Sequence, residues 1–501
     1  MKNKFLQLCA IAIVAFTSCT QDDTASDEIV INESQKHPLS AQQVIANIDE
    51  AFSKKGSFKW SESNDYVLWS ALKNGNNICS IGFGDSKNDF DRSKSVRAVE
   101  HQNQILNIIR KYEGKETEKF LIATDPYLNQ LDVVIENQET IIALRKNKFI
   151  RYMEPADFRY FATTKDNQRS DSESSSGCGL SVETIASADY TTIAPNAKLP
   201  WAFNNHNIPS AWNYSTGQGV TIGVVDTGAS TENTLLNGSF NNGYSSGRTV
   251  QRFGVYVDSI WPWSTGTDGV NDKCGHGTSM SSVATSPRND KGQPVGVAYN
   301  SNLIAYRAAA NVVLEGYHEQ NGVKNAFTGL ANNSNVKIIS MSMGHIISVG
   351  KIEDGVKYAY SKGKLIFCAG GTSTSFTTFV GVIFPAWMPE TVAVTGIKEA
   401  STYQKCDVCH TGGKIDFTIM MQRASGTTIP VNSYYNGQGD YVGGSSVATA
   451  TTAGIAALVW AKNPGWSRDQ VLNKMRQTSH LYPNKHPEFG YGMPNALLAV
   501  Q

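Results

Sequence analysis

Apolar positions follow two different patterns along this chain, and the change between them divides it. From residue 199 onward, short apolar runs at 220–225, 302–307, 336–341, 364–369 and 391–395 are rich in β-formers and bounded by Gly, Asn or Pro. Helical stretches lie between several of them. Runs that are apolar throughout suit strands buried on both faces, and the helices supply the crossovers of a parallel sheet. Between about 39 and 161 the pattern is mixed. Residues 96–112 read as an amphipathic helix with Val99, Ile105, Leu106, Ile108 and Ile109 toward one side. Residues 119–123 and 131–135 read as strands, Asn137 caps a helix over 138–146, and 149–153 reads as a closing strand. The patterning therefore predicts a small α+β domain over 39–162 and a three-layer α/β/α domain with a mainly parallel sheet over 199–501. The connection, 163–198, opens with a Ser/Asp/Glu/Lys-rich run without apolar periodicity, which reads as flexible and open to proteolysis.

The N-terminus follows neither pattern. Lys2 and Lys4 precede an apolar stretch over 5–16 that is too short to span a bilayer permanently. Cys19 and the polar run 20–23 follow. The segment resembles a bacterial lipoprotein signal over 1–18 with a tether over 19–38. That resemblance implies export, lipid on Cys19, and a place at the outer membrane or cell surface. No later apolar stretch reads as long enough to span.

Composition narrows the function classes. Lys plus Arg and Asp plus Glu number 44 each, so no basic excess points to nucleic acid and no acidic block to a solvating tail. Of the 8 cysteines, Cys9 leaves with the leader. An exported chain permits disulfides among the rest without requiring them.

Candidate chemistry lies in three glycine-flanked stretches: Asp226-Thr227-Gly228, Gly275-His276-Gly277-Thr278 and Gly444-Ser445-Ser446. Asp226 ends an apolar run, and so sits at the carboxyl edge where open α/β sheets bind ligands. His276 starts a helix of small residues. Ser446 opens another, where free N–H groups face developing negative charge. Alone, Asp226 competes with a cap on the next helix, a single His is more often structural, and Ser446 reads as a glycine-flanked cap. Together they supply a nucleophile, a general base and an orienting carboxylate.

From Pro200 onward the chain resembles a subtilisin-like serine peptidase, on these motifs and on Ile338-Ile-Ser-Met-Ser-Met-Gly344 and Asn463-Pro-Gly-Trp466. Residues 131–155 resemble the second half of the propeptides of such enzymes. The resemblance implies an endopeptidase made as a zymogen, with its own propeptide as intramolecular inhibitor and no cofactor needed for catalysis. Asp226, His276 and Ser446 would form the triad. Ser342, Met343 and Gly344 would pair with substrate backbone, and Cys368, Ala369 and Gly370 would wall the primary specificity pocket. One position departs from the family. Gly371 stands where an Asn normally donates to the oxyanion, a loss that costs about 10²–10³ in turnover. The Ser446 N–H remains as one donor, and Thr372 or Ser373 could add a hydroxyl. A slow or selective processing peptidase is expected, with a peptide-binding pseudoprotease as the rival.

Two further motifs remain. Cys406-Asp-Val-Cys409-His410 fits the haem-attachment pattern and could also ligate zinc, although a local disulfide or free thiols fit its loop context better. Calcium is common in the family, and Asn289-Asp290-Lys291-Gly292-Gln293 offers oxygen atoms for a structural ion.

Overall fold

A computed structural model of the chain describes residues 29, 31–161, 178–372 and 381–501. The leader with Cys19, most of the tether, the run 162–177 and Ser373 lie outside the described residues.

The N-terminal domain contains α1 (Ala41–Lys55), α2 (Asp65–Asn74), β1 (Ile78–Phe83), α3 (Ala98–Glu113), α4 (Thr117–Phe120), β2 (Leu121–Thr124), β3 (Gln130–Val134), α5 (Gln138–Arg145) and β4 (Ile150–Pro155). Its strands form an antiparallel sheet in the order β2-β3-β1-β4. Ser40 and Gln43 close a capping box on α1, and Gly56 ends that helix in the left-handed conformation. Ile105 and Ile109 of α3 are buried as the periodicity predicts, but Val99 is exposed. It lies in the first turn, off the buried stripe.

The second domain begins earlier than the pattern predicts. The stretch 178–198, expected to belong to the connection, is part of this domain. It carries the hairpin β5 (Tyr190–Ile193) and β6 (Ala197–Pro200), and Arg423 holds Asp189 at 2.9 Å. Strands this short leave no apolar period to read. The elements that follow are α6 (Ile208–Ala211), β7 (Thr221–Asp226), β8 (Val250–Gly254), α7 (His276–Thr285), β9 (Asn302–Arg307), α8 (Tyr317–Asn332), β10 (Val336–Met341), α9 (Gly350–Ser361) and β11 (Leu365–Ala369). Then come β12 (Val392–Lys398), β13 (Ile415–Gln422), β14 (Ile429–Asn432), β15 (Gly439–Val442), α10 (Gly444–Lys462), α11 (Arg468–Gln477) and α12 (Ala496–Val500).

Seven strands form one parallel sheet in the order β13-β12-β11-β10-β7-β9-β8. Successive residues of a strand face opposite layers. Ile338 of β10 joins α7 and α10 in one apolar cluster, while Ile339 and Met341 join α8 and α9 in another. The result is the expected α/β/α sandwich. By length and composition α10 is a candidate membrane span, contrary to the reading that no later stretch is long enough. It is almost wholly buried beneath the sheet, and its apolar character serves that packing.

The two domains meet on the outer faces of α8 and α9. Ile346 and Ile347 share an apolar cluster with Trp60, Met153, Phe158 and Phe161. Buried charges cross the contact as well. Lys351 Nζ lies 3.0 Å from Asp132, Arg151 Nη1 lies 2.9 Å from Asp354, and Lys324 bonds Asp125. Two acidic side chains from the first domain cap helix starts in the second. The Gly350 N–H donates to Glu154 at 2.6 Å and the Tyr317 N–H to Asp157 at 3.2 Å.

Candidate active site

Parallel register brings the candidate residues to one edge. Asp226 is the last residue of β7, and Val225 of that strand pairs with Met341, the last residue of β10. Just past β10, Ser342 Oγ donates to the Ser446 carbonyl at 3.2 Å. Just past β11, the Gly371 N–H donates to Ser445 Oγ at 3.1 Å. The start of α10 is thereby tied to the carboxyl ends of the two central strands.

Asp226 is fully buried. Its Oδ1 accepts from His276 Nδ1–H at 2.8 Å and from the Thr227 N–H at 2.8 Å. That bond leaves Nε2 of a neutral His276 free to accept a proton. Burial pushes the imidazole toward its neutral form, but the charges of Asp226 and Asp272 outweigh it, and the net shift is upward from 6.5. Among the described residues Ser446 Oγ forms no hydrogen bond, and the side chain is half-buried.

Asp272 is a residue that sequence reading missed. Its buried carboxylate accepts from the backbone N–H groups of Cys274, Gly275 and Thr278 at 2.8–2.9 Å and from the hydroxyls of Thr278 and Thr227 at 2.7 and 2.9 Å. These bonds fold the turn that aims His276. Burial nonetheless pushes its carboxyl above the usual range. An aspartate four residues before the His is the only signal in the sequence, and it has no meaning until the turn is formed.

Among the described residues the cysteines form two pairs and two free thiols. Cys178 bonds Cys274, beside His276, and Cys406 bonds Cys409. The Cys406–Cys409 bond matches the expectation of a local disulfide in this loop. Cys79 and Cys368 are free and buried.

Gly371, the position expected to help hold an oxyanion, has φ +126°, and a Cβ there would lie 2.5 Å from His410 Nδ1. The His410 ring thus stands where an Asn side chain would begin. His410 Nδ1–H donates to the Gly381 carbonyl at 2.8 Å, and burial holds its pKa below 6.5. A neutral ring in this tautomer has no proton on Nε2 to give an oxyanion. The Thr372 hydroxyl is engaged with the Ser445 N–H at 3.2 Å and its hydroxyl at 3.1 Å. Restoring the family's residue by Gly371→Asn is therefore expected to fail. Backbone strain alone costs about 1–3 kcal/mol. Denaturant unfolding should show that loss, with no gain in kcat.

Two expected surfaces differ from open binding sites. The N–H of Gly344 donates to the Val312 carbonyl at 3.0 Å, and its carbonyl accepts from the Leu314 N–H at 3.2 Å. Cys368 and Ala369 are buried at the end of β11, and the Gly370 carbonyl accepts from the Ile383 N–H at 2.9 Å.

In the calcium candidate, two of the expected oxygen ligands are already engaged. Asn289 Oδ1 accepts from the Lys291 and Gln293 N–H groups at 3.0 and 3.1 Å, and Asp290 pairs with Lys291 at 3.1 Å. Asn289 and Asp290 thus close the loop on itself, while Gln293 Oε1 is buried without a hydrogen bond among the described residues.

Comparison with known proteins agrees with this architecture. Residues 217–493 match the family model described as the subtilase family, Peptidase_S8. Alkaline elastase YaB from Bacillus sp. (strain YaB) is 28% identical over 315 residues, covering 63% of this chain and 72% of that protein. Subtilisin BL from Lederbergia lenta is 26% identical over 306 residues, covering 60% of this chain and 99% of its own. The crystal structure of fervidolysin from Fervidobacterium pennivorans shares the fold, with a TM-score of 0.59 and 16% identity over 85% of this chain and 61% of that one. With the family model spanning more than half of its length, this chain belongs to the subtilase family and is a subtilisin-like serine endopeptidase.

Proposed function

We propose that this endopeptidase is exported as a zymogen and hydrolyses peptide bonds through Asp226, His276 and Ser446. Ser446 Oγ attacks the carbonyl as His276 Nε2 takes its proton, and the acyl-enzyme forms as His276 returns that proton to the leaving amine. Asp226 fixes the tautomer and stabilises the imidazolium. Water then repeats the sequence to release the acid. The observation that carries this reading is the 2.8 Å Asp226–His276 bond at the sheet edge where Ser342 anchors Ser446. The oxyanion is held by the Ser446 N–H at the helix start, without an Asn, which favours a slow, selective enzyme. Ser342, Met343 and Gly344 bind substrate backbone, and Cys368, Ala369 and Gly370 wall the primary pocket. Lipid on Cys19 holds the enzyme at the cell surface.

The first domain is the propeptide. Its support is the docking face: four strands laid on α8 and α9, with Glu154 and Asp157 capping both helices. Cleavage within 162–177 would free it and leave Cys178 joined to Cys274.

Two measurements probe the docking. Asp132 and Lys351 are both buried, and Asp132→Ala leaves the ammonium uncompensated. A loss of about 3–5 kcal/mol is expected in urea unfolding of the uncut chain. Burial pushes Glu154 up to about 8. A raised carboxyl pKa stabilises docking below its unfolded value, and the contribution is lost as pH rises through about 8. Unfolding midpoints should therefore fall across that range, and Glu154→Gln should flatten the decline.

The function itself is tested with a fluorophosphonate, which needs only an activated serine. Labelling should fall on Ser446 and vanish in Ser446→Ala, with defined peptides cut in preference to unfolded casein. A chain that binds peptides but takes no label is the pseudoprotease that Gly371 raises as the rival.

A further inference from the structure

We propose that the substrate cleft is shut in the zymogen by the enzyme's own strand, residues 312–314, and by Ile383, with the propeptide holding both in place. This rests on the reading above that substrate backbone pairs with Gly344.

Val313 forms a parallel bridge with Gly344, flanked by the two hydrogen bonds at 3.0 and 3.2 Å. Both main-chain groups of Gly344 are thereby spent, and an extended peptide cannot add a strand beside it until that bridge parts. The Leu314 side chain is fully buried in the same apolar cluster as Met343 and Phe384. Ile383 fills the adjacent space. A Cβ on Gly344 would lie 2.7 Å from its Cδ1, and one on Gly371 3.1 Å from its Cγ2. One side chain thus sits between the segment that binds backbone and Gly371.

What holds this arrangement is the other domain. Val313 and Ile383 both pack against the apolar cluster built from the propeptide together with Ile346 and Ile347. Phe161, from the end of the propeptide, reaches both sides of the closed slot. Its N–H donates to Glu315 at 2.6 Å, next to Leu314, and its ring meets His345, next to Gly344, at 5.6 Å between centroids. Undocking the propeptide removes these contacts together, and the bridge can then give way to substrate.

Amide hydrogen exchange on the full-length Ser446→Ala chain, which cannot cut itself, tests the proposal. The amides of Leu314 and Gly344 should exchange slowly and at matched rates. Val313→Asp, which breaks packing against the cluster, should speed both at least tenfold with β10 unchanged. Phe161→Ala, on the propeptide side, should do the same and decides the matter if Val313→Asp disturbs β10. Rapid exchange at Gly344 in the Ser446→Ala chain overturns the proposal. So do slow rates that neither variant raises. Absence of fluorophosphonate labelling in the wild type would sink the peptidase reading alone and leave the exchange result standing.

Discussion

Ser446→Ala is expected to fold as the wild type does and to lose about 10⁶ in kcat, the scale found when the nucleophile of subtilisin is removed. The structural cost is small because Ser446 Oγ carries no hydrogen bond among the described residues and the side chain is half-buried. The helix start keeps its other ties: Ser342 reaches the main-chain carbonyl of Ser446, and Gly371 reaches Ser445. The kinetic cost is large because no neighbour replaces the lost oxygen. Ser445 is turned away, with its hydroxyl bonded to Gly371 and Thr372. Steady-state kinetics on a defined peptide, after removal of the propeptide, should show kcat collapsing with little change in KM. Residual turnover within tenfold of wild type would mean that another group attacks.

Asp226→Asn is expected to cost about 10⁴ in kcat. Oδ1 now accepts from His276 Nδ1–H and from the Thr227 N–H. An Asn that turns its NH₂ to the Oδ1 position gives up the Thr227 bond, faces His276 Nδ1 with a donor and favours the wrong tautomer, with the proton on Nε2. The pH profile should move too. His276 acts as base only when neutral, so wild-type kcat/KM rises with pH through a pKa above 6.5. Asp226 is the chief cause of that rise, and removing its charge leaves burial dominant, so the acid limb should shift downward. Stability has the opposite slope. The charged His276–Asp226 pair stabilises the native state below 6.5, and this contribution is lost as pH rises through the raised value. An acid limb that stays in place in Asp226→Asn would separate Asp226 from His276 in function.

The fold was legible in the sequence where burial was two-sided. β9 and β10 match the apolar runs at 302–307 and 336–341 to the residue, because both faces are covered and nearly every position is buried, Lys337 excepted. β8 escaped because it lies at the sheet edge and alternates between half-buried and exposed positions. β13 escaped because Asp416 and Thr418 interrupt its apolar run. The three candidate residues could be found because each sits in a glycine turn at the end of an apolar run. Asp272 could not be found, because its role depends on five donors that converge only when the turn is formed. The bond between Cys178 and Cys274 spans 96 residues, and no local pattern signals it. Val312 to Leu314 carry no motif at all. Their place beside Gly344 arises from the packing of two domains, which only the folded chain contains.

Intact mass of the purified exported chain, wild type beside Ser446→Ala, tests the central claim most directly. The wild type alone should lose its N-terminal domain, through a cut between Phe161 and Cys178, while Ser446→Ala keeps it. Loss of the same segment from both chains, or from neither, would contradict a self-maturing Asp226–His276–Ser446 peptidase.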